Sequence, residues 1–293
     1  MSIRKIGFIG LGAMGFPMVK RLLNAGSHIQ TAAYKQNPID VERAQQLEGM
    51  GAKVMDGFPA VARDVDLVLT ILPEDKQVKA VLLDEEFYNS VDSNTIILEM
   101  TSCAPQTVQE IGKRYSDKGV RVFDGPVSGG TAGAENGTLT IFGSGKAEVL
   151  EEIKEVLDVL AAKVYFVGEL GSGKALKAVN QMMTAVNMLA VAEGFAIAKK
   201  QGIDPEIMYE VIKESAGGSY VFDRKFNNLV KNKFDGGFKL SLMRKDLRIA
   251  LSSVENIPLP FSKLAYDFYL MAAAYDNFDY SVISKLLVDD LKD

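Results

Sequence analysis

Lys5-Ile6-Gly7-Phe8-Ile9-Gly10-Leu11-Gly12-Ala13-Met14-Gly15-Phe16-Pro17 decides the fold. A short apolar segment over 5–9 runs into three glycines spaced G-x-G-x-x-G, and a helical pattern follows over 17–24. Between strand and helix each glycine has its own task. Gly10 permits the tight turn, Gly12 lets backbone approach a pyrophosphate, and Gly15 lets the helix pack close to the strand. Leu11, Ala13 and Met14 complete the cradle. The first N–H groups of the helix have no partner within it and meet phosphate charge.

The segments downstream give this turn its weight. Short apolar strands are expected over 28–33, 52–55, 67–71, 95–98 and 120–123, separated by helical stretches over 41–50, 76–83, 105–118 and 147–160. Pro17 and Pro105 suit first-turn positions, and Gly26 and Gly119 follow helix ends. Strand–helix alternation of this kind marks a doubly wound, mainly parallel sheet, so the N-terminal part reads as an α/β Rossmann domain. Two further strands, 138–142 and 164–167, extend the sheet. From 175 to 201 the pattern becomes one long helix rich in Ala, Met, Leu and Val, apolar over more than a stripe and so expected to be buried by several neighbours. Only helices follow, over 205–215, 219–231, 241–255, 262–275 and 281–290. The expected organisation is a dinucleotide-binding domain over 1–167 and, joined through the long helix, an all-α domain over 168–293 for substrate and oligomerisation.

The chain length of 293 residues suits two domains. A net charge of −5 and a pI near 5.2 give no sequence-wide reason to bind nucleic acid or an anionic membrane. The single cysteine, Cys103, cannot form an internal disulfide, and with one histidine no Cys/His zinc cage can be assembled, so a reducing cytoplasm and no metal are expected. No uninterrupted run of about 18 apolar residues occurs, and neither a signal peptide nor a membrane span is read. His28 would have to be the base of any Ser-His-Asp, Cys-His or His-Asp arrangement. It opens a strand, at the end remote from the nucleotide, and reads as structural or solvated.

An NAD-selective site carries an acid about 20 residues beyond the glycine turn, at the end of the second strand. Here the segment is Ala33-Tyr34-Lys35-Gln36-Asn37, with no acid before Asp40. Tyr34 and Lys35 are placed among the cofactor-binding residues, Lys35 neutralising a 2′-phosphate, and NADP is expected in preference to NAD.

Three further segments carry a resemblance. Asp124-Gly125-Pro126-Val127-Ser128-Gly129-Gly130-Thr131-Ala132-Gly133-Ala134-Glu135-Asn136-Gly137-Thr138-Leu139 resembles the substrate-binding signature of the β-hydroxyacid dehydrogenases, the group containing 3-hydroxyisobutyrate dehydrogenase and tartronate semialdehyde (2-hydroxy-3-oxopropionate) reductase. Gly171-Ser172-Gly173-Lys174-Ala175-Leu176-Lys177-Ala178-Val179-Asn180-Gln181 is similar to their catalytic segment, G-x-G-x-x-x-K-x-x-N. Lys245-Asp246-Leu247, after Phe238, resembles their C-terminal motif. With the glycine turn, these matches run in family order from about residue 7 to about residue 250.

The resemblance implies Lys177 as general acid/base, with Asn180 one turn on and on the same face. It implies Ser128, Gly129, Gly130 and Asn180 at the substrate, and Leu72, Pro73, Thr101, Phe238 and Lys245 at the cofactor. The residues suit these roles: Ser128-Gly129-Gly130 offers a hydroxyl and backbone free of Cβ obstruction for a carboxylate, and a lysine can exchange a proton with a substrate oxygen. Glu99 stands where the family has the Asp of Asp-x-Ser or Asp-x-Thr, which leaves that loop's geometry open. Lys174 falls in the variable part of its motif and reads as non-catalytic, Cys103 as a bystander, and Met182, Met183 and Met188 as helix packing.

The implied activity is hydride transfer between NAD(P) and a short β-hydroxy acid or its semialdehyde. The alternatives are an imine or specialised aldehyde reductase on the same fold, a 6-phosphogluconate dehydrogenase, disfavoured because that family has a longer helical region, or a non-catalytic NAD(P)-binding module. A homo-oligomer, dimer or tetramer, is expected. Phe261, Tyr266, Phe268, Tyr269 and Tyr275 form either domain core or a subunit interface.

Overall fold

The computed structural model describes residues 5–254 and 256–288. The chain divides into two compact units, Met1–Lys177 and Ala178–Asp293. In the first, strands β1 (Lys5–Ile9), β2 (His28–Thr31), β3 (Lys53–Val54), β4 (Leu67–Thr70), β5 (Ile96–Glu99) and β6 (Arg121–Asp124) lie parallel in the order β3-β2-β1-β4-β5-β6. This is the doubly wound order, with its reversal between β1 and β4, where a dinucleotide crosses the carboxyl ends of the strands. Both faces are covered, which is why β4 and β5 are buried at every residue and read as unbroken runs. Side chains alternate between the faces. Ile6, Phe8, Leu69 and Leu98 pack on one side with Met18 and Leu22 of α1 (Gly15–Asn24) and Leu157 of α8 (Ala147–Leu160). Ile9, Val68 and Ile97 pack on the other with Val78 of α4 (Asp75–Leu82) and Ile111 of α6 (Pro105–Ser116).

Beyond β6 the sheet changes direction. β8 (Leu139–Ser144) meets β6 antiparallel at Asp124 and Ser144, and it carries the antiparallel β7 (Val127–Ser128) and the parallel β9 (Ala161–Gly168). The reading above places eight of these strands to within a few residues and misses β7. It also misses helices α3 (Phe58–Val61), α5 (Glu85–Ser90) and α7 (Gly130–Asn136). Each is too short to display a period. Helix α2 (Pro38–Gly49) begins three residues early because Asn37 caps it, its side chain accepting from the Ile39 N–H.

Helix α9 (Ser172–Lys200) begins in the first unit and continues into the second. There follow α10 (Pro205–Lys213), α11 (Tyr220–Val230), α12 (Leu240–Ser252), α13 (Pro260–Met271) and α14 (Lys285–Val288), with 3-10 turns at Ala273–Tyr275 and Tyr280–Ser284. The expected helix over 281–290 is thus a 3-10 turn and a short α-helix, and 289 and 290 lie outside the described residues, as does Glu255 of the expected 241–255. Ala185, Met188, Ala192 and Phe195 of α9 enter one core with Phe222, Phe226, Leu247 and Tyr269. Length and composition alone would let α9 cross a membrane; these core contacts account for part of its apolar character, while Val179, Met183 and Ile197 stay exposed. Met188 is packing, as expected, but Met183 is exposed because it lies on the opposite face of the helix. Among the C-terminal aromatics, Tyr269 is core and Phe261 is 73% exposed.

Candidate active site

The three glycines of the first turn separate by what surrounds them. Gly10 has φ +110°, and a Cβ there would lie 2.1 Å from the Ile71 carbonyl oxygen. At Gly15 a Cβ would lie 1.8 Å from the Gly10 carbonyl oxygen. At Gly12 it would meet no atom of the described residues within 4 Å, its chain neighbours apart. The fold itself requires the first and third glycines, whereas the second faces open space at the start of α1. No acidic residue occupies the first turn of that helix, so its positive end is left for an anion. These residues fit a dinucleotide pyrophosphate. A support the sequence did not reveal is Arg43 of α2, which donates to the Leu11 carbonyl at 2.7 Å and lies 5.3 Å from the Phe16 ring centroid.

Because β1, β4, β5 and β6 are parallel neighbours, the segments after them share one edge. The Leu72 N–H donates to Thr101 Oγ1 at 2.8 Å, locking the loop after β4 to the loop after β5. Pro73 follows at the exposed lip. Beneath them lies a buried polar cluster. The Lys174 ammonium is 2.5 Å from Glu99 Oε2 and donates to the Glu99 and Thr101 carbonyls at 2.8 and 2.7 Å. Glu99 Oε1 accepts from the Thr101 N–H at 2.9 Å, and Cys103 Sγ donates weakly to Oε2 at 3.6 Å. Asp124 accepts from Ser144 Oγ and from the N–H groups of Gly171 and Lys174 at 2.9 and 3.1 Å, anchoring the start of α9.

Burial works against the charged form of Lys174, but Glu99, Cys103 and Asp124 around it together more than offset this, and its pKa lies above the ordinary lysine value. Burial pushes the Asp124 carboxyl up, with Lys174 and the Gly171 N–H pulling part of the way back. Burial, with Glu99 beside it, also raises the Cys103 thiol well above its ordinary value.

Ser128 ends β7, and Gly129 and Gly130 follow with φ of +127° and +63°, conformations that favour glycine. Both glycines are exposed. Lys177 is buried on α9, three residues beyond Lys174. In the second unit, Asn180 Nδ2 donates to Gln181 Oε1 at 3.0 Å, Gln181 Nε2 donates to Asp246 Oδ2 at 2.7 Å, and Lys245 Nζ lies 3.1 Å from Asp246 Oδ1. Asn180 and Lys245 are therefore linked through Gln181 and Asp246, two buried residues that sequence reasoning had not assigned. Phe238 packs edge-on to Tyr280, its N–H donating to Asp279.

Tyr34 and Lys35 follow β2 on the same carboxyl edge, and both are exposed. Lys35 Nζ is 2.6 Å from Asp56 Oδ1, with the two side chains 74% and 89% exposed. The sequence showed no acid along the β2 loop; Asp56 arrives from beyond β3. His28 is exposed at the first residue of β2, the opposite end of the strand.

Residues 5–168 match the family described as the NAD binding domain of 6-phosphogluconate dehydrogenase, and residues 171–286 match the NAD-binding domain of NADP-dependent 3-hydroxyisobutyrate dehydrogenase. The chain is 37% identical to 2-(hydroxymethyl)glutarate dehydrogenase of Eubacterium barkeri over 265 residues, 89% of this chain and 86% of that one. It is 32% identical to mitochondrial 3-hydroxyisobutyrate dehydrogenase of Drosophila melanogaster, over 97% of this chain and 89% of the relative. The solved structure of Mycobacterium tuberculosis 3-hydroxyisobutyrate dehydrogenase with L-serine superposes with a TM-score of 0.90 at 27% identity, covering 98% of this chain and 99% of that one. With the doubly wound strand order, the glycine turn and the helical second unit already in place, these likenesses make the chain a member of the β-hydroxyacid dehydrogenase family, an NAD(P)-dependent oxidoreductase.

Proposed function

We propose that the substrate is a β-hydroxy acid of three to five carbons or its semialdehyde, held by its carboxylate at Ser128, Gly129 and Gly130 with Asn180. The observation that carries this reading is the pair of exposed glycines at positive φ directly after Ser128. Successive backbone N–H groups in such conformations form an anion-binding concavity, and the serine hydroxyl adds a third donor. Bound nicotinamide supplies the hydride acceptor for oxidation and the donor for reduction. In oxidation neutral Lys177 takes the hydroxyl proton; in reduction its ammonium returns it to the carbonyl oxygen. Holding the acid in one orientation is itself a large part of the rate. Leu72, Pro73, Thr101, Phe238 and Lys245 are assigned to the cofactor.

Purified protein assayed with a panel of short semialdehydes, a cyclic imine and both reduced nicotinamides tests this. Consumption with a semialdehyde is expected; turnover of the imine alone would favour an imine reductase.

Lys35 supports a preference for NADP. Its ion pair with Asp56 is exposed, and water and salt weaken such a pair, so a 2′-phosphate competes for the lysine at little cost. Wild type is expected to favour NADPH. Lys35→Asp should shift the ratio of catalytic efficiencies towards NADH by roughly ten-fold or more, given about 1.5–3 kcal/mol for a charge-assisted hydrogen bond and 1.4 kcal/mol per decade. Both cofactors are compared at one ionic strength, since salt screens the contact. An unchanged ratio would make Lys35 a solvated loop residue. A second copy of the chain is the proposed cover for Val179, Met183 and Ile197, apolar residues exposed on α9. A reducing cytoplasm suits the single, buried Cys103.

A further inference from the structure

The Lys174–Glu99 ion pair has neither side chain exposed. Removing two charges from water is repaid only by good geometry and by hydrogen bonds to every remaining donor and acceptor. Here the ammonium has three oxygen partners, and two of them belong to Glu99 and one to Thr101. Thr101 is consequently held at both its N–H, by Glu99 Oε1, and its C=O, by Lys174, while its hydroxyl accepts from the Leu72 N–H. On the other side, the Lys174 backbone N–H is fixed to Asp124, and the Gly173 N–H donates to Ser144 Oγ at 2.9 Å. Lys177 lies on the same helix, about 4.5 Å further along its axis at 1.5 Å per residue.

We propose that Lys174 is a positioning residue, which ties the Thr101 backbone to the first turn of α9 and so sets where Lys177 stands relative to the nicotinamide-side loop. The proposal rests on the reading of Lys177 and the Leu72–Thr101 loop given above. It also gives Glu99 a reason. The carboxylate that departs from the family's aspartate is one methylene longer, and it is this longer arm that reaches the lysine while still accepting from the Thr101 N–H.

Lys174→Met alone leaves a buried carboxylate without its cation and is expected to lower Tm or prevent folding. Two further variants separate positioning from stability. Lys174→Met with Glu99→Gln removes both charges while keeping an acceptor for the Thr101 N–H; Glu99→Asp keeps both charges and shortens the arm. Tm, kcat, KM, NADPH affinity by titration and the fluorescence emission of bound NADPH are measured. The expected result for the double variant is a folded protein with a Tm above that of Lys174→Met but below wild type, since the Glu99 and Thr101 carbonyls lose their donor, and kcat lower by about 10²-fold, the scale of a misplacement near 1 Å. KM and NADPH affinity should stay within about threefold, with the emission of the bound nicotinamide altered. Glu99→Asp should fold, lose about ten-fold in kcat and show the same emission change. Folded variants with wild-type kcat and wild-type emission would overturn the proposal and leave the pair a structural contact. Should wild type turn over no hydroxy acid or semialdehyde, the reaction reading fails by itself. The emission of bound NADPH then still decides: changed in the variants at constant affinity supports positioning, and unchanged overturns it.

Discussion

Lys177→Ala is expected to lower kcat by roughly 10²–10⁴-fold, the usual loss on removing a positioned acid/base. The affinity for NADPH should stay within about threefold, because the role proposed for the lysine is on the substrate oxygen and not on the cofactor. The phosphate turn at Gly10–Gly15 is a separate structure, built on β1 and α1 and braced by Arg43. Steady-state kinetics and cofactor titration on the same preparation separate the two effects. A kcat within about threefold of wild type would remove Lys177 from the proton step.

Gly12→Val is expected to abolish measurable NAD(P) binding while leaving Tm close to wild type. Among the described residues, no atom other than those of its chain neighbours lies within 4 Å of a Cβ at this position, so the added side chain costs the fold little and fills the space proposed for a pyrophosphate. Gly15→Val is the control, since its Cβ would fall 1.8 Å from the Gly10 carbonyl oxygen and should lower Tm sharply. Nicotinamide fluorescence titration and thermal melts read both variants. Unchanged affinity in a folded Gly12→Val protein would place the cofactor elsewhere.

Strands β1, β4 and β5 could be read from the sequence because burial on both faces writes them as apolar runs, and α9 because its apolar character persists over many turns. The glycine turn was legible because its G-x-G-x-x-G spacing falls between an apolar strand and a helical pattern, and the fold requires its first and third glycines. Strand β7 and helix α7 were not, since two residues of strand and a helix rich in Gly and Ala carry no period. The long-range pairs were hidden for a different reason. Lys35 and Asp56 are 21 positions apart, and nothing local announces their contact. Lys174 read as an incidental helix lysine because its partners lie 73 and 75 residues earlier in the chain. The signal was present in two places at once, a glutamate where the family has an aspartate and a lysine at a variable position, and only the folded chain shows that they meet. Asn180 and Lys245 were named from separate motifs, while their link through Gln181 and Asp246 needed α9 and α12 side by side.

The most direct measurement follows the hydride itself. NADPH dideuterated at nicotinamide C4 is mixed with wild-type enzyme and a semialdehyde of three to five carbons, and the product is examined by mass spectrometry. The expected product is the corresponding hydroxy acid carrying one deuterium on the hydroxyl-bearing carbon. A hydroxy acid without deuterium, or no reduction of any semialdehyde by enzyme that binds NADPH, would contradict hydride transfer to a β-hydroxy acid skeleton.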